Sequence, residues 1–137
     1  MESNRNIDVS FVIIARNEEK NIGRCIKSVL DAAEDIDFEV IVVDSASIDR
    51  TREIAGRYPA KIVELSGNNR PTASAGRYVG SLYAKGKYIF FVDGDMILDP
   101  GFLPHAIKYL SKNSNVAVSG WITQGDTLDP YLKTIGD

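Results

Sequence analysis

The stretch Lys87-Tyr88-Ile89-Phe90-Phe91-Val92-Asp93-Gly94-Asp95-Met96-Ile97-Leu98 decides the fold of this chain, because an apolar run ends there at two acids. Five large apolar residues between charged ones predict a strand over 87–92 that is buried on both faces, as in parallel sheets covered by helices. Ligands of open α/β sheets bind beyond the carboxyl ends of the strands. We therefore expect Asp93 and Asp95 to border a ligand site.

The two acids favour a bound cation, since neighbouring carboxylates repel each other unless a positive charge joins them. Their hard oxygen atoms suit Mg²⁺ or Mn²⁺, and an ion held by one or two carboxylates keeps positions free for substrate phosphate. Gly94 has no side chain and lets the backbone approach the ligand closely. The stretch thus predicts a divalent metal site that serves a phosphate-bearing substrate.

Composition and charge limit the classes of function that remain. The 137 residues are 44% hydrophobic and 26% charged, which predicts a single globular domain, 1–137. Sixteen basic and nineteen acidic residues give a net charge of −3, so nucleic acid is not an expected partner. Cys25 is the single cysteine and cannot form an internal disulfide. No apolar run approaches the ~20 residues of a membrane span and no signal peptide is evident, so we expect a cytoplasmic location.

Three more apolar runs, at 9–15, 38–43 and 61–65, predict strands before this stretch, and 116–120 predicts a short strand after it. A helix follows the first run, with Asn17 as its N-cap and with Glu18 and Glu19 at its positive end. The buried face of this helix repeats every three or four residues, at Ile22, Cys25, Ile26, Val29, Leu30 and Ala33. Ser47 is the expected cap of a short helix through Ala55.

Two further helices are expected on either side of the opening stretch. One begins at Pro71 and extends to about Ala84, and its glycines Gly76 and Gly80 predict close packing on a neighbour. The other begins after Asp99 as its N-cap. Strands that alternate with helices imply a mostly parallel α/β sheet with helices on both faces, so the acids that follow the strands share one edge.

Four segments of the chain together resemble the family 2 glycosyltransferases of the GT-A fold. They are 9–30 with Ala15-Arg16-Asn17-Glu18-Glu19, 39–51 with Asp44-Ser45-Ala46-Ser47-Ile48-Asp49-Arg50-Thr51, 75–84 with Arg77, and 86–103 with Asp93-Gly94-Asp95. They stand in the family's order and at its spacing over residues 9–103. The resemblance implies a Rossmann-like three-layer sandwich and the transfer of a sugar from a nucleotide diphosphate donor with inversion.

The resemblance also implies roles for particular residues. The nucleotide sugar would be bound by Ala15, Arg16, Asn17, Glu18, Asp44, Arg77, Asp93 and Gly94. Asp95 would be the main ligand of Mg²⁺ or Mn²⁺, with Asp93 beside it near the ribose or phosphate. Independently of the resemblance, the fork-shaped guanidinium of Arg70 or Arg77 suits hydrogen bonds to the phosphates, where negative charge grows on the leaving group as the sugar is transferred.

The chain departs from the family pattern at two kinds of place. Ser45 and Ala46 stand where many members have another acid or Asn and then Gly, which bears on the choice between UDP and GDP donors. The chain also ends shortly after the donor-binding half, so we expect a truncated chain or one completed by a partner subunit. The general base is therefore unassigned, since nothing marks Asp126 or Asp129 as that group.

Several alternatives remain open from the sequence. The chain is a transferase acting on a glycan, lipid or polysaccharide acceptor, or a non-catalytic module that binds nucleotide sugars. A lipid acceptor leaves room for peripheral association at the inner face of a membrane. A haloacid dehalogenase-like phosphatase is a third reading, although its Asp-Gly-Asp motif usually follows the first strand. Asp44, Asn17 and Glu18 also have simple helix-capping interpretations, Cys25 is expected in the core, and His105 receives no role.

Overall fold

The computed structural model describes residues 6–66 and 72–120 of the chain. The elements in order are β1 Val9–Ala15, α1 Ile22–Ala32, β2 Phe38–Asp44, α2 Thr51–Ala55, β3 Lys61–Glu64, α3 Ala73–Tyr83, β4 Tyr88–Asp93 and α4 Phe102–Lys112. They fall into two compact units, Met1–Leu98 with the sheet and Asp99–Asp137 with α4. Within the described ranges, no helix has both the length and the apolar character that crossing a bilayer requires.

The sheet has the order β3-β2-β1-β4, and every pair of neighbouring strands is parallel. The predicted alternation of strands and helices is therefore confirmed, with the fourth strand returning to the far side of the first. Asp44 pairs with Ala15 in the register of β2 on β1, and Asp93 pairs with Ile14 in the register of β4 on β1. Because the strands are parallel, their carboxyl ends lie at one edge, as the sequence predicts.

β1 is the centre of the core, since all of its residues are buried. Val12 and Ile14 form a cluster with Ile41 and Val43 of β2 on one face of the sheet. Phe11 and the other alternate residues of β1 point to the opposite face, as the pleat of a strand requires, and are equally buried. Removing one such side chain, as in Leu→Ala or Ile→Ala changes, typically costs about 2–5 kcal/mol of stability.

Helix α3 packs very closely on the first of these faces. A Cβ atom at Gly76 would lie 2.9 Å from a methyl carbon of Ile14, and one at Gly80 would overlap Val12 outright. Both distances are shorter than real Cβ contacts, so any side chain at either position would force the helix away from the sheet. The predicted close packing at these two glycines is confirmed.

The predicted caps of α1 and α2 are wrong. α1 begins at Ile22, several residues after Asn17, whose backbone is left-handed with φ of 52°. The amide oxygen of Asn17 accepts a hydrogen bond from the backbone N–H of Ile48 instead. Similarly, α2 begins only at Thr51, and the Ser47 hydroxyl accepts from the N–H of Asn17. Both side chains satisfy backbone groups of another loop rather than those of the helix that follows them.

The later elements also begin or end differently from the predictions. Thr72 is the N-cap of α3 and accepts from the N–H of Ala75, while Pro71 lies outside the described residues. Gly101, not Asp99, is the N-cap of α4, although Asp99 accepts hydrogen bonds from the N–H groups of Gly101 and Phe102. Residues 116–120 are described but form no strand, so that prediction is wrong.

Strand β4 is less buried than its apolar sequence predicts. Ile89 and Phe91 are 40% and 43% exposed, although their alternation with buried Val92 is that of a strand. In the described part of the sheet, β4 pairs only with β1, and α3 contacts β1 and β2. The expectation of burial on both faces is therefore wrong for this strand within residues 6–66 and 72–120.

Candidate functional site

A cleft of about 280 Å³ lies at the carboxyl edge of the sheet. It is lined by Ile14, Ala15, Arg16, Glu18, Ser45, Ala73, Asp93, Gly94 and Asp95. The loops after β1, β2 and β4 thus meet at one place, as expected for ligands of parallel α/β sheets. Ala15, Arg16, Glu18, Asp93, Gly94 and Asp95 were predicted as site residues and share this cleft.

The loop after β1 is tied to the loop after β2 by hydrogen bonds that begin at the strands. The N–H of Ser45 donates to the carbonyl oxygen of Ala15 at 2.8 Å. Beyond it, three consecutive backbone N–H groups, of residues 17, 18 and 19, each donate to a side chain of the other loop. Ser47 Oγ, Thr51 Oγ1 and Asp49 Oδ2 are the acceptors, at 2.9, 2.8 and 3.1 Å.

These bonds have a chemical consequence for the cleft wall. Loops that bind phosphate after a first strand do so with several free backbone N–H groups that converge on the anion. Here the N–H groups of 17–19 are already used by protein oxygens. The wall formed by Arg16 and Glu18 is therefore a fixed surface and not a phosphate cradle.

Asp44 lies behind this wall and does not line the cleft. It is fully buried, and its Oδ2 accepts from the N–H of Ser47 at 3.0 Å and lies 3.7 Å from Nε of Arg52. Among the described residues, its Oδ1 has no hydrogen-bond partner, and neither has the hydroxyl of Ser45. A buried polar atom without a partner costs about 1–3 kcal/mol, so this pair of oxygens favours a polar group from outside the protein.

The turn that carries the two acids is anchored on β1 and α1. The N–H of Gly94 donates to the Ile14 carbonyl at 2.8 Å, and the N–H of Met96 donates to the Asp93 carbonyl at 2.9 Å. A Cβ atom at Gly94 would lie only 3.0 Å from Cβ of Ala15, so glycine permits this close approach. Below the turn, the thiol of Cys25 lies 3.5 Å from the same carbonyl of Asp93.

Cys25 is fully buried, which confirms its predicted place in the core. Burial raises the pKa of its thiol to about 12, and the negative charges of Asp95, Asp93 and Glu18 act in the same direction. Asp95, Asp93 and Glu18 thus all lie near enough to Cys25 to oppose a further negative charge there. Carboxylates that lie close together favour a cation between them.

Arg77 is positioned by α3 next to the acid turn. Its Nη2 donates to Oδ1 of Asp93 at 3.0 Å, and the two side chains are 39% and 42% exposed. Arg77 itself is not among the residues that line the cleft, so the structure brings it to the site through Asp93. Arg70, the other predicted phosphate ligand, lies outside the described residues, as do Asp126 and Asp129.

The donor atoms of the acid turn fit a divalent ion that shares its ligands with a substrate. No group of three or more His, Cys, Asp or Glu side chains in the described ranges is arranged to hold a metal by itself. One oxygen of Asp93 is already bonded to Arg77, whereas the exposed carboxylate of Asp95 has no hydrogen bond or ion pair with the described residues. Ions such as Mg²⁺ commonly bind through one or two carboxylates together with phosphates and water.

The sequence predictions missed some of the residues that line the cleft. Ser45 follows Asp44 at the end of β2, so the rule that strand ends carry ligands would have included it. Ala73 comes from the first turn of α3, and no sequence signal marks it. Conversely, Asn17, Asp44 and Arg77 do not line the cleft, although each is bonded to a segment that does.

The chain matches known proteins over nearly its full length. The sequence profile described as Glycosyl transferase family 2 matches residues 10–135. The chain belongs to this family. It is 25% identical to a dolichol-phosphate mannosyltransferase of Pyrococcus furiosus, over 93% of the chain and 37% of that protein. It is 30% identical to a dolichyl-phosphate beta-glucosyltransferase of Trichomonas vaginalis, over 80% of the chain and 38% of that protein.

Solved structures confirm the GT-A fold for this family member. Residues 1–349 of S. aureus TarS in complex with UDP are similar with a TM-score of 0.69 and 26% identity, over 89% of the chain and 38% of that fragment. Glucosyl-3-phosphoglycerate synthase of Mycobacterium tuberculosis, solved with Mn²⁺, UDP and glucosyl-3-phosphoglycerate, has a TM-score of 0.63 at 27% identity, over 79% of the chain and 41% of the synthase. The chain therefore spans less than half the length of the relatives it matches.

Proposed function

We propose that this family member forms the nucleotide-sugar-binding part of an inverting glycosyltransferase. The donor is a UDP- or GDP-linked sugar, and the acceptor is a glycan, a lipid or a polysaccharide. The observation that carries the proposal is the meeting of Glu18, Asp93 and Asp95 at one cleft in a chain of this family. Polar oxygens on one wall and acids on the other suit a ligand with both a nucleoside and a diphosphate.

The nucleoside is proposed to bind against the wall built by the loops after β1 and β2. Ala15, Arg16 and Glu18 line this wall, and so does Ser45, whose buried hydroxyl has no partner among the described residues. Oδ1 of Asp44 lies behind it, also without a partner in the described residues. Ribose hydroxyls and the N–H groups of a base are donors that such oxygens accept, which supports the proposed contact of Asp44 and Ser45 with the nucleoside.

The diphosphate is proposed to bind at the other wall together with Mg²⁺ or Mn²⁺. Because the N–H groups of 17–19 are occupied, the charge of two phosphates has to be offset by a cation or by arginine. Asp95 is the proposed main ligand of the ion, with the free oxygen of Asp93 beside it. Such an ion supplies Lewis-acid stabilisation of the leaving diphosphate, which gains charge in the transition state.

The rest of the reaction is proposed only in outline. Transfer with inversion needs a general base and an acceptor pocket, and no described residue is assigned to either role. A partner subunit or further chain, a cytoplasmic location and contact with the inner face of a membrane remain predictions from the sequence.

Calorimetric titration of the full chain with UDP and GDP, each with and without Mn²⁺, tests the proposal. We expect one nucleotide to bind only with the metal and to raise the unfolding temperature accordingly. Asp95→Ala should lose this response, whereas Asp35→Ala, which removes an exposed acid away from the cleft, should keep it. The proposal fails if the response needs no metal or if Asp95→Ala retains it.

A supplied sugar donor separates the alternatives in the same experiment. Metal-dependent binding with transfer to an acceptor supports a transferase, and binding without transfer or hydrolysis supports a non-catalytic module. Release of phosphate from simple phosphomonoesters would instead support the phosphatase alternative, which the family match and the position of the acids after β4 disfavour.

A further inference from the structure

The side chains of Ser47, Asp49 and Thr51 form a cluster that we call the loop clamp. We propose that the loop clamp contains positioning residues, Thr51 above all, which hold the backbone of the cleft wall in the shape that the nucleoside requires. None of the three lines the cleft, so each acts through the residues it holds. This inference rests on the proposed function, since the wall is useful to a ligand only if one binds there.

The three side chains of the loop clamp accept hydrogen bonds from three consecutive backbone N–H groups, those of residues 17–19. Oγ1 of Thr51 accepts from the N–H of Glu18 and donates to Oδ1 of Asp49 at 2.5 Å, so a single hydroxyl joins both. Thr51 is fully buried, and it lies 33 residues from Glu18 along the chain. The bond to Glu18 is therefore a long-range contact with the cleft wall, whereas the bond to Asp49 is local and orients the Thr51 hydroxyl.

Bonds in the reverse direction complete the connection. The N–H of Ile48 donates to Oδ1 of Asn17 at 2.9 Å, and the N–H of Arg50 donates to Oε2 of Glu19 at 3.1 Å. Each loop thus supplies both donors and acceptors to the other. A rigid shift of one loop along the other would break bonds in both directions, which fixes their relative register.

The backbone of both loops needs this support. Asn17 has φ of 52° and Ala46 has φ of 54°, in the left-handed region that non-glycine residues adopt unfavourably. For Ala46 no side-chain hydrogen bond compensates, since alanine has none to offer. Such conformations persist only when the surrounding structure holds them in place. Here the hydrogen bonds on either side of each residue do so.

The link to the ligand runs through Glu18 and Ser45. Glu18 lines the cleft while its N–H is bonded to Thr51 and its Oε2 accepts from Nδ2 of Asn21 at 2.9 Å. Ser45 lines the cleft next to Ala46, and Ser47 beyond it bonds both Asn17 and Asp44. Loss of the loop clamp would therefore release Glu18 and Ser45, which line the wall against which the nucleoside is proposed to bind, without removing either one.

The first experiment examines the loop clamp without any ligand. Hydrogen exchange of the backbone amides of residues 17–19 is measured in the full chain and in two variants, Thr51→Val and Thr51→Ser. Valine has the shape of threonine without the hydroxyl, and serine keeps the hydroxyl. We expect the amide of Glu18 to exchange at least tenfold faster in Thr51→Val, and within about twofold of the unchanged chain in Thr51→Ser.

The second experiment measures the affinity for UDP and for GDP in the presence of Mn²⁺, at a temperature where circular dichroism shows every variant folded. For whichever nucleotide binds, we expect Thr51→Val to weaken binding by about three- to tenfold, the usual effect of one hydrogen bond. Thr51→Ser should restore it, and binding of Mn²⁺ alone should be unchanged. A purely structural role would lower the unfolding temperature without altering the affinity of the folded chain.

The results separate the inference from the proposed function. If the Glu18 amide loses protection in Thr51→Val while nucleotide affinity stays the same, the positioning role is refuted and the proposed function stands. If the unchanged chain binds neither nucleotide, the proposed function and the positioning role both fail, whereas the exchange data still report the loop clamp itself. Should Thr51→Val not fold, the pair Ser47→Ala and Ser47→Thr makes the same comparison through the N–H of Asn17.

Discussion

The two walls of the cleft satisfy their polar groups in opposite ways. On the side of β1 and β2, loop backbone and side chains bond to one another, and Asp44 is fully buried beside Arg52. On the side of β4, Asp95 is exposed, and Asp93 is 42% exposed with Arg77 as its partner. Apart from Oδ1 of Asp44 and the hydroxyl of Ser45, the first wall satisfies its polar groups within the described residues, whereas the second presents negative charge to solvent.

This difference indicates that the two walls contribute to ligand binding in different ways. A preformed wall gives shape, because its groups do not rearrange when a ligand arrives. An exposed pair of acids gives charge, and that charge is best satisfied by an ion that arrives with the ligand. The acids of the two walls should therefore respond differently to removal, and three predictions measure how far the difference goes.

The largest effect on stability is expected at the first wall. Asp44→Ala leaves the N–H of Ser47 without its acceptor and removes a charge from Arg52, so we expect a loss of about 1–3 kcal/mol. Asp95→Ala removes an exposed side chain and should change stability by less than about 0.5 kcal/mol. Urea unfolding of the two variants checks this, and equal losses would remove the distinction between a structural acid and a ligand-binding acid.

An intermediate effect is expected at the Arg77–Asp93 pair, on affinity more than on stability. The two groups are partly exposed, so Arg77→Gln should cost less than about 1 kcal/mol of stability. If Arg77 acts by orienting Asp93, Arg77→Gln and Asp93→Asn should weaken nucleotide binding by no more together than the stronger one does alone. A calorimetric double-mutant cycle measures this, and additive effects would show that Arg77 contacts the nucleotide independently.

The smallest effect is a dependence of the loop clamp on pH. Burial of Asp49 alone would raise its pKa, but hydrogen bonds from the Thr51 hydroxyl and from the N–H groups of Thr51 and Glu19 outweigh it and lower the pKa. The ionised form therefore stabilises the folded state fully above the unfolded value of about 3.9, and this contribution is lost as the pH falls through the folded pKa.

We expect the free energy of unfolding to fall as the pH is lowered below about 4. The fall should be less steep in Asp49→Asn, because the amide does not titrate. Urea unfolding at a series of pH values gives the two slopes. Parallel slopes would mean that Asp49 is not stabilised by the loop clamp. Glu53, whose pKa is lowered to about 2 by its hydrogen bond with Arg50, contributes equally to both proteins and cancels in the comparison.

The sequence predicts the sheet well because its signals are local. Apolar runs that end at acids give the strands, and alternation with helices gives parallel pairing and hence the shared edge. The spacing of Gly76 and Gly80, four residues apart, is enough to predict that α3 packs closely on the sheet. That Asp93 and Asp95 lie at the carboxyl edge of the sheet is predictable for the same reason, since each strand end can be read without knowledge of the others.

The errors arise where a side chain can either cap the helix that follows it or form the same kind of hydrogen bond with a distant loop. Asn17 and Ser47 are good N-caps by residue type, and only the fold shows that each bonds to the loop of the other. Asp44 ends a strand just as Asp93 does, and its role in nucleotide binding stays a prediction, but residue type alone does not reveal that it is buried beside Ser47 and Arg52. A single sequence does not reveal the pairings of Asn17 and Ser47, because separations of 30 residues or more carry no periodic signal.

The two glycines of α3 extend the influence of the cleft into the core. Arg77 sits between Gly76 and Gly80, so a side chain that lifts the helix from Val12 also draws the guanidinium away from Asp93. The close packing of α3 on the sheet, which the two glycines permit, therefore sets the position of Arg77 relative to Asp93. Substitutions far from any substrate atom can in this way retune the charge at the mouth of the cleft, and an inventory of contact residues would overlook them.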